Sequence, residues 1–569
     1  MQPWWKQEPE RYQYELKELD NSGYQYHINE TALARGRLII TVDYPYKTGT
    51  TPLTVLFPEQ YPYFPFEIEA HELQLNRHQN IFNKQLCFMT DSTGIWEPNF
   101  DTLARILTTQ IPKLFLLAAS NDTVYIRDNE IHVGESVTSY YTYLDSSAVI
   151  IDDWNIPENI NAGLLTCYLS DKYSFRGVIK DVRDKSNKII CHSNEDITKN
   201  HDTVIKGRWV KLPVKPTTKN PRELIEAASK INKNIKKPMY QHGLYLLGFY
   251  FEDETTWKHN SGNWLFLIFC KHRGQKNNKL YFDKPGSYYF VRTLRGSKSA
   301  VLSRARQLEV VSNKKALIVG LGSLGSTTAM QLAKTGIGEL RLMDDDIVEP
   351  GNSVRWALGW SASGHNKPYA LQDEINRQYP YVKTQIYPIK IGQTNIGNDT
   401  ENEIIDNALD DVDIILDATA DFNVNFYLSS RARSLGIPYV WVTTTYGVWG
   451  GVIGRVIPGE TDGCWCCYRR HIDDGTINIP NQDVEGSSVQ PVGCSETTFS
   501  GTGFDSDQIS LAAVRHVIAT LSRNDGEGYP DFDWDVGVVN LRDNNGRPIA
   551  PEWKTYTLIK HDQCEHSKE

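Results

Sequence analysis

Ala316-Leu317-Ile318-Val319-Gly320-Leu321-Gly322-Ser323-Leu324-Gly325 is the stretch on which the reading of this chain turns. Its first four residues predict a short buried strand, and the pattern from Ser326 to Thr335 predicts a helix. Between them stand three glycines spaced G-x-G-x-x-G. Glycines allow a tight turn and a close backbone approach, and the helix N-terminus offers unpaired N–H groups to a phosphate. Taken alone, the motif suits a dinucleotide cofactor as readily as ATP.

The residues downstream separate those two readings. A second strand is expected over Glu339–Met343, and Asp344-Asp345-Asp346 closes it. A carboxylate at a strand end, here Asp344 or Asp346, accepts hydrogen bonds from ribose hydroxyls. Asn352, Arg355 and Lys367 follow. A redox cofactor does not need these cations beside its phosphates. Adenylation does, because charge develops on the transferred and leaving phosphates as a carboxylate attacks the α-phosphorus. Asp421, after a further strand, is a candidate ligand for Mg²⁺. Strands expected at Ile386–Ile391, Asp413–Leu416 and Tyr439–Thr443, alternating with helices, predict a mostly parallel, doubly wound α/β sheet over residues 297–569.

Working outward, 569 residues are too many for one core. A net charge of −10 makes a nucleic-acid surface an unexpected partner. No stretch approaches the roughly 18 apolar residues that cross a bilayer, so no membrane partner is expected either. Met1-Gln2-Pro3-Trp4-Trp5-Lys6 lacks the layout of a signal peptide. Nine cysteines are too few and too clustered for a secreted disulfide scaffold, so the expected setting is a reduced cytoplasm.

Residues 1–125 read as an α+β domain. A helix is expected over Trp4–Leu19, then strands at Gly23–Ile28, Gly36–Tyr44, Thr51–Phe57 and Phe66–Ala70, then a helix to Ala119 with Asp101 as its N-cap. Residues 126–296 are strand-rich, with an exposed loop at 215–221 and a surface helix over Arg222–Asn234. No chemical motif is visible there, which suggests a connecting or binding domain.

Two resemblances follow from these residues. The glycine loop, Asp344, Asp346, Asn352-x-x-Arg355, Lys367 and Asp421 together resemble the adenylating domain of the ubiquitin-activating, ThiF and MoeB superfamily. The resemblance implies a Rossmann-like fold in which Asp344 binds ribose and Asn352, Arg355 and Lys367 contact phosphates. It implies Mg²⁺ on Asp421 and a homodimer that lends an arginine across its interface, from Arg304 or Arg306. The superfamily often binds a structural zinc with two CxxC pairs. Here Cys464 and Cys467 form one pair, while Ser567 stands where the second pair would end, leaving Cys464, Cys467, Cys564 and His566 as the candidate set. Related enzymes carry a thioester-forming cysteine in a loop corresponding to Gly493-Cys494-Ser495.

At the other end, Tyr61-Pro62-x-x-Pro65, His78-x-Asn80, Cys87 and Trp96-x-Pro98 resemble the ubiquitin-conjugating fold. The resemblance implies that Cys87 accepts a modifier's C-terminus and that Asn80 stabilises the oxyanion when a lysine attacks. Gln79 replaces the usual proline. Fusion of the two types resembles the ubiquitin-transferase-like family of CBASS anti-phage operons. It implies that the C-terminus of a cyclic-oligonucleotide synthase (CD-NTase) is adenylated, passed from Cys494 to Cys87, and joined to target lysines. Two rival readings remain open: a sulfur-carrier activator, which leaves Cys87 unused, and a scaffold in which the N-terminal domain only binds.

Overall fold

The computed structural model describes residues 2–88, 96–120, 122–130, 132–169, 175–198, 203–271, 286–392, 401–483, 488–489 and 498–564. They fall into two compact units, Met1–Gly296 and Ser297–Glu569. Among the described residues, no helix is long and apolar enough to cross a membrane.

The first unit opens with two helices, Trp4–Gln7 and Pro9–Asn21, where one was expected. Pro9 is the cause. It starts a helix well, but it drives the preceding Glu8 out of helical geometry (φ −123°, ψ 67°). Strands Gln25–Ile28, Ile39–Tyr46, Gly49–Leu56 and Glu67–Glu69 pair antiparallel in chain order. Their inward residues Ile40, Val42, Leu53, Val55 and Ile68 pack with Leu103, Leu107, Ile111 and Leu114 of helix Leu103–Ala119. Thr102, rather than Asp101, caps that helix, its hydroxyl accepting from the Arg105 N–H at 3.2 Å. The Asp101 carboxylate accepts from the Glu97 N–H at 2.7 Å instead and so tightens the preceding turn.

The strand-rich stretch closes on itself. Strands Ala148–Ile151, Ser287–Arg295, His259–Cys270, Leu244–Thr256, Thr203–Lys211, Ala162–Leu169 and Arg176–Asp184 follow one another around the sheet. The last pairs back to the first in parallel, while Ile189–His192 extends the edge. All seven strands supply one apolar cluster, including Val149, Leu165, Ile179, Ile205, Leu246, Phe266 and Val291. The alternate residues, such as Leu247, Phe249 and Leu265, form a second layer with Leu224, Ile225 and Ala228 of helix Pro221–Ile231. That helix starts one residue earlier than expected and ends three residues sooner. Ile81 and Phe82 of the N-terminal domain also pack on this layer, Phe82 edge-on to Tyr141 at 5.2 Å. The barrel is therefore more than a connector, because it supports the loop that carries Cys87.

The second unit is α/β. Its main sheet has eight strands, in the order Lys383–Tyr387, Glu339–Met343, Lys315–Val319, Ile414–Asp417, Tyr439–Thr444, Gly450–Val456, Val536–Arg542 and Pro548–Tyr556. The first five are parallel, and the last three add antiparallel. The order in which strands are added reverses at Lys315–Val319: the chain builds outward through Glu339–Met343 on one side, then crosses to Ile414–Asp417 on the other. The crevice where open α/β sheets bind ligands lies at that reversal. Helices Ser323–Lys334, Lys367–Gln378 and Gly503–Ser522 cover one face, and Glu401–Leu409 and Phe422–Leu435 the other. The last of these on the first face begins at Gly503. A Cβ there would sit 2.6 Å from the Val354 carbonyl, so glycine lets this helix start against the Val354–Arg355 backbone.

His516 lies fully buried in that helix, stacked on Trp534 with ring centroids 4.6 Å apart. Burial, helped by the Arg455 charge, pushes its imidazole down to about 3. An unfolded histidine binds a proton near pH 6.5, so the unfolded chain gains protons before the folded one does. Stability conferred by neutral His516 is thus complete above about pH 6.5 and declines as pH falls towards 3. Between pH 7.5 and pH 5, urea unfolding of the second unit is expected to weaken by about 2 kcal/mol. A shallower dependence in His516→Phe would assign the loss to this ring, and parallel curves would remove it.

Candidate functional site

The glycine loop uses each glycine for a different reason. Gly320 takes a left-handed φ of +81°, and a Cβ there would meet the Thr419 nitrogen at 2.8 Å. A Cβ on Gly325 would lie 1.8 Å from the Gly320 carbonyl oxygen, so this residue allows the helix to press on the strand. Gly322 caps the helix with no side chain, and the space where its Cβ would stand is open to 4 Å. Such a site suits an approaching phosphate.

Asp344 ties this loop to the neighbouring strand. Its Oδ2 accepts from the Leu321 N–H at 2.6 Å and its Oδ1 from the Asp346 N–H at 2.8 Å. Asp346 is exposed and forms an ion pair at 2.6 Å with Lys367, whose ammonium is largely buried at the start of its helix. The Asn352 side chain closes a capping box by accepting from the Glu349 N–H at 2.9 Å. Burial pushes the half-buried Arg355 guanidinium below its ordinary range. Trp356, one residue on, donates its indole N–H to the Leu321 carbonyl at 2.7 Å and clamps the loop from the other side. Sequence reading overlooked Trp356, although its place directly after Asn-x-x-Arg was a usable signal.

The loop after Ile414–Asp417 completes this edge, since Ala418 and Thr419 touch Gly320. Asp421 caps helix Phe422–Leu435, its Oδ1 accepting from the Asn423 and Val424 N–H groups at 2.8 and 3.1 Å. Both of these bonds fall on the one oxygen, Oδ1. Asp417, which ends the strand before this loop, was missed by sequence reading. It is fully buried and accepts from the Thr419 N–H and hydroxyl, the Asn425 amide and the Tyr439 hydroxyl at 2.7–3.0 Å. Burial raises its carboxyl, and these four donors oppose that rise. Arg304 and Arg306 are both exposed.

Among the cysteines, the Cys464 sulfur stands 3.7 Å from those of both Cys467 and Cys564. Tetrahedral zinc–thiolate bonds of about 2.3 Å place sulfurs roughly 3.8 Å apart, so three ligands of the candidate set fit zinc. The His561 N–H donates to the Cys467 sulfur at 3.4 Å, as an outer-shell partner would. His566 and Cys494 lie outside the described residues.

Cys87 is exposed, and its N–H donates to the His78 carbonyl at 2.8 Å. Despite that exposure, nearby protein atoms push its thiol up, and the Glu135 charge adds to the rise. The Asn80 side chain accepts from the Phe82 N–H at 2.9 Å, and its backbone closes a turn with Lys84 and Gln85. Gln79 is buried. Its amide accepts from the Leu75 N–H at 2.8 Å and donates to the Ala70 and Leu73 carbonyls at 3.1 Å each. Where the resemblance has a proline, this chain rigidifies the loop with hydrogen bonds.

Comparison with known proteins gives the family. A model of the ThiF family matches residues 297–530. The uncharacterized protein y4oA of Sinorhizobium fredii is 30% identical over 99% of this chain and 97% of its own length. The chain belongs to the ThiF family. The ATP-dependent ubiquitin transferase-like protein Cap2 of Enterobacter hormaechei is 32% identical to this ThiF-family chain over 24% of it and 21% of Cap2. E. coli MccB, solved with ATP, matches 46% of the chain and 68% of its own at 16% identity, with a TM-score of 0.33. The ThiF match spans the glycine loop, Asp344, Lys367 and Asp421.

Proposed function

We propose that this ThiF-family chain is an ATP-dependent, cytoplasmic protein transferase of ubiquitin-conjugating type, acting in anti-phage defence. The observation that carries the proposal is the pairing, on one chain, of the Asp344-braced glycine loop with an exposed Cys87 held in its own ordered turn. The similarity to Cap2 supports the same reading.

In this reading Asp344 receives the ribose, and Asn352, Arg355 and Lys367 receive the phosphates. Lys367 must loosen its pair with Asp346 to do so. Asp421 would hold Mg²⁺, which supplies charge neutralisation at the phosphates. Arg304 of a second subunit in a homodimer would add a further cation. Cys464, Cys467 and Cys564, with His566, would hold a structural zinc. The C-terminal carboxylate of the modifier, for which a CD-NTase is the candidate, attacks the α-phosphorus and pyrophosphate leaves. The Cys494 thiolate then takes the acyl group and AMP leaves, and exchange moves the acyl group to the Cys87 sulfur. A target lysine amine attacks the thioester, stabilised by Asn80, and frees the Cys87 thiol.

The test is incubation of the full chain with ATP, Mg²⁺ and a purified CD-NTase, followed by non-reducing electrophoresis and pyrophosphate exchange. A thiol-sensitive adduct that Cys494→Ala prevents is the expected result. An adduct lost in Cys87→Ala but kept in Cys494→Ala would overturn the relay order. Exchange with a sulfur-carrier protein and no adduct with any partner would favour activation alone.

A further inference from the structure

The segment that leads from the N-terminal domain into the barrel reaches back to the Cys87 loop. Both Glu135 carboxylate oxygens accept from the His78 backbone N–H, at 2.9 and 3.0 Å, and Oε1 also lies 3.1 Å from His78 Nδ1. The other ring nitrogen of His78 lies 3.0 Å from Glu130. His78 takes a left-handed φ of +61°, uncommon for a residue with a side chain, and its carbonyl is the acceptor for the Cys87 N–H. A chain of direct contacts thus runs from Glu135 through His78 to the backbone of Cys87.

The arm itself is fastened. A Cβ on Gly134 would fall 2.7–2.9 Å from the backbone of Glu254, Thr255 and Thr256, so only glycine lets the arm lie on that strand end. Arg77 donates to Glu130 at 2.6 Å and to Glu254 at 2.6 Å. Among His78, Glu130 and Glu135, whose ligand atoms cluster within 4.8 Å, the Arg77 guanidinium supplies the positive charge that a metal ion would otherwise bring.

We propose that Glu135 is a positioning residue for Cys87, holding its loop through His78 and restraining its sulfur until an acyl group is delivered. This rests on the reading of Cys87 as an acyl carrier. The arm therefore restrains a nucleophile that would otherwise react with adventitious electrophiles while unloaded. The charged and titratable groups facing this cluster are Arg77, His78, Glu130 and Tyr140, with Asp253 and Glu254 behind them from the barrel. Tyr140 is pushed up to about 12 by burial and by the Glu135 and Cys87 charges, so it stays neutral at working pH. Glu135 is then the negative charge that a Cys87 thiolate would face.

The experiment follows iodoacetamide alkylation of the Cys87 peptide by mass spectrometry in the full chain, from pH 6 to 10, without ATP or modifier. It does not need conjugation to occur, so its outcome is independent of the transferase reading. Glu135→Gln is expected to lower the alkylation midpoint by about half a unit, giving about threefold faster labelling at neutral pH. Glu135→Asp, which keeps the charge, is expected to stay near the parent curve. Equal midpoints in parent and Glu135→Gln would overturn the proposal. So would equal acceleration in both variants, because the arm would then be merely a lid. Urea midpoints in parallel confirm that each variant is folded.

Discussion

Asp344→Ala is expected to slow ATP-dependent pyrophosphate exchange by at least about 100-fold, while the neighbouring Asp345→Ala stays within about twofold. The asymmetry comes from what each carboxylate does. Asp344 accepts from both the glycine-loop N–H of Leu321 and the N–H of Asp346, whereas Asp345 is exposed. Hydrogen bonds to a charged group are each worth about 1.5–3 kcal/mol. Losing two weakens the tie between the glycine loop and the neighbouring strand, leaving the Gly320 N–H on the Met343 carbonyl and the Trp356 indole on the Leu321 carbonyl. The damage should appear in the rate of exchange and in ATP affinity together, since the loop and the proposed ribose contact would fail at once. Asp344→Asn keeps one acceptor oxygen and should recover part of the rate. Exchange within about tenfold of the parent in Asp344→Ala would remove the residue from the nucleotide site.

Cys87→Ala is expected to abolish transfer to lysine entirely, with exchange retained. A thioester is labile to an attacking amine, and alanine leaves no sulfur to form one. Cys87→Ser should instead accumulate an alkali-labile, thiol-resistant oxyester, because an oxygen ester resists aminolysis more than a thioester does. Conjugates formed by Cys87→Ala at the parent rate would show that the N-terminal domain only binds.

What could be read in the sequence was what depends on neighbours in the chain. Gly320, Gly322 and Gly325 sit within six residues, and their strand–turn–helix context is local, so the adenylation fold was visible from them. The pattern around Cys87 was visible for the same reason. Pairings across long separations were not. Closure of the barrel joins Ala148–Ile151 to Arg176–Asp184 and to Ser287–Arg295, and no local period announces it. The three antiparallel strands that extend the parallel sheet were missed for the same cause. Asp417 reads as one acid among 70 acidic residues until Asn425 and Tyr439 are folded over it. Glu135 carries no motif at all, and its meaning comes wholly from the left-handed His78 it holds. The position taken by Gln79 looked like a departure, yet its side-chain hydrogen bonds do by contact what proline does by covalent geometry.

Arg77 gives this architecture a practical boundary. One guanidinium spans Glu130, 53 residues away, and Glu254, 177 residues away. A fragment cut where the conjugating-type pattern ends would keep the cation and discard both of its anions, with His78 stripped of its carboxylates as well. Such a fragment would be a poor stand-in for the parent, because it would carry the Cys87 loop without the groups that hold it. The smallest transferable piece that retains the native surroundings of Cys87 is the whole of Met1–Gly296.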